Sequence, residues 1–274
     1  MKGAPLPLLL AAWAAGFPPL ARAQAPEVPV TALSEFTAVR PGDTFRVAVR
    51  LVVPAGWHIG WINPGASGLG TRLAWQLPAG VSGGTSEWPY PETEESGADV
   101  INIYRGAVVV FSTFAAAPGV GGSVALTADV SWGICREVCV PQKRTVALTL
   151  PVTSGAPARA AAWSEAEAAT RLLPMRERSA TFVATRLADG IRLSVTGLKA
   201  GPAPGSWVTF FPAAAGKASV VARVEEAAGG LSVTLPKTVA ADSALQLLGV
   251  LVAAHAPGAP PPVRAVAVEA PLSK

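Results

Sequence analysis

Residues 123–152 read "SVALTADVSWGICREVCVPQKRTVALTLPV". Val124, Leu126, Ala128, Val130 and Trp132 alternate with Ala125, Thr127, Asp129 and Ser131. Beyond the cysteines, Val146, Leu148, Leu150 and Val152 resume the alternation. Successive side chains of a strand point to opposite faces, so a period of two marks a half-buried β-strand. Two such strands, 123–132 and 144–152, put Cys135 and Cys139 in or beside a hairpin connection. They are the only two cysteines of the chain. Three residues separate them, not the two of a thioredoxin-type motif, and no helix start follows to lower a thiol pKa with its dipole. Arg136 between them favours a thiolate and Glu137 opposes it. The spacing is compatible with the Cα separation of roughly 4.4–6.8 Å found in disulfides. A ring this small constrains little of the unfolded chain, so such a bridge suits exchange better than stapling.

The same period runs outward in both directions. In "TFRVAVRLVV" (44–53), Phe45, Val47, Val49, Leu51 and Val53 point one way and Arg46, Ala48 and Arg50 the other. Short strands separated by Gly, Pro and Asn indicate a sandwich, and 27 Gly and 26 Pro residues supply the turns it needs. "TSGAPARA" (153–160) has the composition of a linker. Residues 158–173 are Ala-rich and read as a helix, with Trp163, Ala166, Thr170 and Leu173 on one face. Glu167 and Arg171 are placed to pair at i,i+4, and Pro174 ends the helix. The β pattern then returns, with a hairpin signal at Asp189-Gly190.

The N-terminus bears on the redox state of the thiols. Lys2, a short apolar stretch over 8–20 and the small residues "ARAQA" have the layout of a secretory signal peptide. Cleavage is expected after Ala23, with Ala25 as the alternative. Loss of Lys2 and Arg22 leaves 20 basic and 18 acidic side chains, a net charge of +2. That balance argues against nucleic acid as a partner, which calls for a basic patch. Mean hydropathy is high, +0.40. Yet the later apolar runs, 107–120 and 244–255, are interrupted by polar residues and fit buried strands better than membrane spans. No transmembrane segment is expected after cleavage. Export to an oxidising compartment, here a bacterial periplasm, makes a close cysteine pair a disulfide for at least part of its life.

Three stretches carry a family resemblance: "AGWHIGWINPGASGLGTRLAWQLPAG" (55–80), "EWPYPE" (87–92) and "VSWGICREVCVPQ" (130–142). Together they resemble the N-terminal periplasmic domain of the DsbD/ScsB-type thiol:disulfide interchange proteins, over roughly residues 26–152. The resemblance implies an immunoglobulin-like sandwich whose cysteine pair, Cys135 and Cys139, is the catalytic site. It implies that Cys139 forms the mixed disulfide with partners and that Cys135 resolves it. It further implies thioredoxin-like or membrane-bound electron donors and disulfide-bearing exported proteins as partners, within a protein-disulfide reductase system. With no multi-span region and no second CxxC in the sequence, the chain is expected to act as a stand-alone component. The expected architecture is all-β. Residues 1–23 are the signal peptide and 24–152 an immunoglobulin-like β-sandwich with the cysteine pair. Residues 153–178 are linker and short helix, and 179–274 a second, smaller β-sandwich-like domain.

Other functions stay open beside this one. The pair could be an inert disulfide in a structural or protein-binding sandwich. Two thiolates with His58 or Met175 could hold Cu(I), which prefers sulfur ligands, although no Met-rich or His-rich tract supports it. No cofactor motif, Ser-His-Asp set or phosphate loop is recognisable. Trp57, Trp61, Trp75 and Trp88 read as core or rim packing, or as a shield around the disulfide. "NPGASG" (63–68) reads as a turn, with a cap over the cysteines as the functional alternative. His58 reads as structural, His255 has no motif around it, and the charges of "PETEES" (91–96) read as a solvated loop.

Overall fold

The computed structural model describes residues 25–96, 99–199, 202, 204–214, 216–240, 244–253 and 265–273. The expected signal peptide, residues 1–23, and His255 lie outside these residues. The first unit is built from β1 (Val30–Ser34), β2 (Thr44–Val52), β3 (His58–Gly65), β4 (Arg72–Gln76), β5 (Val81–Glu87), β6 (Glu92–Ser96), β7 (Asp99–Tyr104), β8 (Ala107–Ala116), β9 (Ser123–Cys135) and β10 (Cys139–Pro151). They form two antiparallel sheets, ordered β1-β2-β8-β5 and β10-β9-β3-β7-β6, with β4 also paired to β9. The alternating residues do what their period requires. Phe45, Val47, Val49 and Leu51 of β2 are buried against Val124, Leu126, Val130 and Trp132 of β9, sheet facing sheet. This is the all-β, immunoglobulin-like sandwich expected from the sequence. Each such side chain contributes about 1.5–3 kcal/mol on full burial.

Ala48 sits on the face of β2 that the sequence assigns to solvent, yet it is fully buried. The reason is α1 (Trp163–Ala169), which lays Trp163 and Ala166 over Ala48, Val109 and Phe111. The Trp163 ring meets Phe111 edge-on at 5.8 Å. This helix is shorter than the 158–173 expected. It spans seven residues and tightens into a 3-10 turn at Thr170–Leu172. The preceding residues are held by main-chain bonds instead. Thr37 N donates to Ala158 O at 2.9 Å, and Ala160 N to Glu35 O at 3.0 Å. Glu167 pairs with Arg159 at 2.8 Å rather than with Arg171, whose Nη1 donates to Ala168 O.

The second unit contains β11 (Thr181–Arg186), β12 (Gly190–Thr196), β13 (Trp207–Pro212), β14 (Val220–Ala227), β15 (Gly230–Pro236), β16 (Gln246–Ala253) and β17 (Ala265–Ser273). The Asp189-Gly190 hairpin joins β11 to β12, with Leu187 N donating to Gly190 O. The unit is all-β, as expected, and its strands close into a barrel in the order β11-β12-β15-β14-β13-β16-β17. A parallel pairing of β11 with β17, Ala184↔Leu272 and Thr185↔Ser273, completes the ring. Closure removes the open edges that a sheet would otherwise expose.

The two units share apolar contacts. Trp61 of β3 meets Phe211 edge-on at 6.0 Å. Phe211, Val250, Val252 and Ala265 of the barrel belong to the same buried cluster as Val49, Leu51 and Trp132. Asn63, fully buried in β3, spans the junction. Its Nδ2 donates to Pro212 O and Lys217 O, each at 2.7 Å, and its Oδ1 accepts from Gly216 N at 3.1 Å.

Candidate functional site

Strands β9 and β10 pair without interruption from Ser123↔Pro151 to Cys135↔Cys139. The cysteines are therefore the last rung of a long hairpin, and Arg136, Glu137 and Val138 form its exposed tip. Residues directly opposite on antiparallel strands share a face, with Cβ atoms about 4.5–5.5 Å apart. The two sulfurs are bonded, with a Cα–Cα distance of 4.1 Å. On the other side of β9, β3 places His58 opposite Cys135 and Ile59 opposite Ile134. One row across the sheet thus reads His58, Cys135, Cys139.

Parity decides which way this row points. Trp132 and Ile134 enter the sandwich core, as do Ile59 and Trp61. Cys135 and His58 each lie one residue out of step with them, so they face outward. Cys135 is nevertheless only 5% exposed. The end of β3 and the bend after it, residues 64–69, fold back beside it: Pro64, Ser67 and Leu69 line a cavity of about 240 Å³ together with His58, Cys135 and Cys139. Two glycines make room. A Cβ on Gly60 would stand 2.5 Å from Leu69 O, and one on Gly133 would stand 2.7 Å from Leu69 Cβ. Asn63, Pro64 and Gly65 of "NPGASG" end strand β3 rather than form a turn, the chain bends at 66–68, and Pro64, Ser67 and Gly68 are part of the wall beside the disulfide.

Exposure differs between the two cysteines. Cys135 is buried and Cys139 partly exposed. Val138 and Val140, which flank Cys139, are 72% and 40% exposed. An apolar rim therefore borders the more accessible sulfur. The guanidinium of Arg136 lies over the Trp57 ring at 5.0 Å, so Trp57 is the tryptophan that reaches the cysteine turn. Trp61 is core, and Trp75 packs on Phe114 while its Nε1 donates to Ser112 Oγ at 2.9 Å. Trp88 is partly buried against the core.

The "PETEES" charges are not a solvated loop. They form β6, and Glu94 ion-pairs with Arg105, which also reaches Glu92 at 3.2 Å. Glu94 Oε1 stands 3.9 Å from His58 Nδ1. The imidazole is buried. That burial first, and the Arg105 charge second, hold its pKa below the ordinary value. Sequence reasoning singled out His58 without its neighbours, because the strand pairing that joins residues 58 and 135 is invisible in either segment alone. Met175 exchanges main-chain bonds with Ala265 and Ala267 of the barrel and is not part of the cavity wall. A larger cleft, about 510 Å³, opens at the junction of the two units between Trp61, Trp88, Phe182 and Leu248. It contains no thiol, whereas the disulfide borders the smaller cavity.

Comparisons with known proteins agree with this geometry. Residues 24–151 match the family model described as thiol:disulfide interchange protein DsbD, N-terminal. No curated protein matches the chain. Among solved structures, the N-terminal periplasmic domain of ScsB from Proteus mirabilis is similar with a TM-score of 0.56 at 17% identity, covering 89% of this chain and 93% of that one. At that identity the likeness shows the fold. The major pilin subunit BcpA of Bacillus cereus matches at a TM-score of 0.29 and 11% identity, covering 82% of this chain and 58% of that one, too low to carry an argument. Among the described residues, no helix is long and apolar enough to cross a membrane. A disulfide on the last rung of a hairpin, in a two-sheet sandwich, thus coincides with the match of residues 24–151 to the model of the DsbD N-terminal domain.

Proposed function

We propose that the chain is an exported thiol–disulfide exchange protein of the periplasm, passing electrons between a redox partner and exported proteins through Cys135 and Cys139. The observation that carries this reading is the asymmetry of the pair: one buried sulfur and one at an apolar, accessible rim. A partner can approach Cys139 while Cys135 stays shielded behind it. In the reducing direction, Cys139 thiolate attacks a partner disulfide and forms a mixed disulfide, releasing one partner thiolate. Cys135 then attacks Cys139 Sγ, re-forming the Cys135–Cys139 bond and releasing the second partner thiolate. Two electrons and two protons leave the dithiol for the partner. The partners in this reading are a thioredoxin-like or membrane-bound donor on one side and a disulfide-bearing exported protein on the other. The division into 24–152, 153–178 and 179–274 belongs to the same proposal, with the catalytic pair in the first part.

Non-reducing electrophoresis of variants expressed in a periplasm tests the order of attack. Cys135→Ser removes the resolving thiol and should accumulate a mixed disulfide through Cys139, identified by mass spectrometry. Cys139→Ser should accumulate little. Equal trapping by both variants would remove the assigned order, and no adduct with either would leave an inert disulfide.

A further inference from the structure

His58 has a role that neither the family match nor the cysteine pair assigns. We propose that His58 is the proton acceptor for the Cys135 thiol during exchange, with Glu94 and Arg105 as its charged neighbours. This rests on the exchange reading above and deepens it.

The resolving step needs Cys135 as a thiolate. Its position works against that: burial raises a thiol pKa by disfavouring the charge. No helix N-terminus compensates, since Cys135 ends a strand. A neighbouring base offers another way to make a buried thiol react at neutral pH. His58 is the cross-strand neighbour of Cys135 on the same face, and both line the same cavity. Residues so paired have Cβ atoms about 4.5–5.5 Å apart.

The other charged groups around the cavity serve different ends. From the hairpin tip, Arg136 lies on the Trp57 ring and Glu137 is exposed to solvent. From β6 come Glu94, 3.9 Å from His58 Nδ1, and Glu92, and from the β7–β8 turn comes Arg105, which pairs with both. Residues 64–69 contribute no titratable side chain. Glu94 stands on the Nδ1 side of the ring, beyond hydrogen-bond length. Arg105 ion-pairs with that carboxylate, which offsets its pull toward a protonated ring. An imidazole whose pKa lies below its ordinary value is neutral at pH 7, as a proton acceptor must be.

The step balances. The Cys135 S–H bond breaks and its proton passes to His58. The Cys135 thiolate attacks Cys139 Sγ, the S–S bond to the partner breaks, and the electron pair leaves on the partner sulfur. His58 then returns its proton to that leaving thiolate, directly or through water.

The full exported chain with Cys139→Ser isolates the Cys135 thiol. Its alkylation by iodoacetamide, followed from pH 5 to 9, should show two inflections, the lower one belonging to His58. Adding His58→Gln should leave one inflection, displaced upward, and slow alkylation at pH 7 at least tenfold. His58→Asn provides a second probe, and far-UV circular dichroism verifies the fold of each variant. Superimposable profiles with and without His58 in folded protein would overturn the proposal. Oxidation of the reduced wild-type chain by glutathione disulfide, run in parallel, separates the two readings. A wild type that exchanges while the profiles coincide removes His58 alone. A wild type that does not exchange removes the exchange function itself.

Discussion

Replacing Asn63 by alanine should uncouple the sandwich from the barrel. The side chain is fully buried and makes four hydrogen bonds. Nδ2 donates to Pro212 O and Lys217 O at 2.7 Å, and Oδ1 accepts from Gly65 N and Gly216 N at 3.1 Å. The bonds to Pro212 O and Gly65 N are buried, so truncation strands one acceptor and one donor away from water. Each stranded group costs about 1–3 kcal/mol. The bonds at Lys217 and Gly216 are part-buried, and water replaces them at about 0.5 kcal/mol each. The sum is about 3–7 kcal/mol, at and beyond the upper end of what single substitutions do. With a urea m-value of about 3 kcal/mol/M for a chain of this size, the midpoint should fall by at least about 1 M. The assay is urea unfolding followed in parallel by tryptophan fluorescence, dominated by Trp57, Trp61, Trp75, Trp88, Trp132 and Trp163 of the sandwich and its helix, and by far-UV circular dichroism, which reports both units. The two probes should separate in Asn63→Ala, because the sandwich and barrel then unfold less cooperatively. Asn63→Asp should be at least as damaging at neutral pH, since a carboxylate would face two carbonyl oxygens. It should recover in part on acidification, when the protonated acid can donate. A midpoint shift below about 0.3 M with coincident probes would refute the view that this residue ties the units together.

Three further outcomes are expected. Reduction of the Cys135–Cys139 bond, which closes a ring of five residues, should lower stability by no more than about 2 kcal/mol in unfolding measured with and without reductant; a much larger loss would mark it as a structural staple. A fragment of residues 24–173 should be more stable than 24–152 by about 2–3 kcal/mol, because Trp163 covers Ala48 and Phe111; equal midpoints would show the helix to be dispensable. His58 has a folded pKa below its unfolded value of about 6.5, so the unfolded chain takes up the proton first. Its contribution is fully present above that pH and is lost as pH falls through the folded value; His58→Gln should flatten that part of the stability profile, and an unchanged slope would refute the assignment.

What the sequence by itself determined is whatever a single segment can express. Alternation is a property of one strand, so 44–53, 124–132 and 145–152 announce their buried faces without reference to anything else. Two such strands also put Cys135 and Cys139 in or beside a hairpin connection, whereas the outward face of Cys135 follows from the strand running on to residue 135. Where the reading of single segments fell short, a distant segment decided. Ala48 is buried because a helix more than a hundred residues later lies over it. The helix is short because the residues before it are taken up by main-chain bonds to 35–37. The second unit closes into a barrel because β11 finds β17, a pairing that carries no local signal. Asn63 looks like a turn residue in "NPGASG", and its amide finds Pro212 and Lys217 only when the barrel docks. His58 and Glu94 come to the thiols by strand register alone. Register between segments so far apart is set by which faces must be buried together, a condition satisfied by the whole tertiary structure.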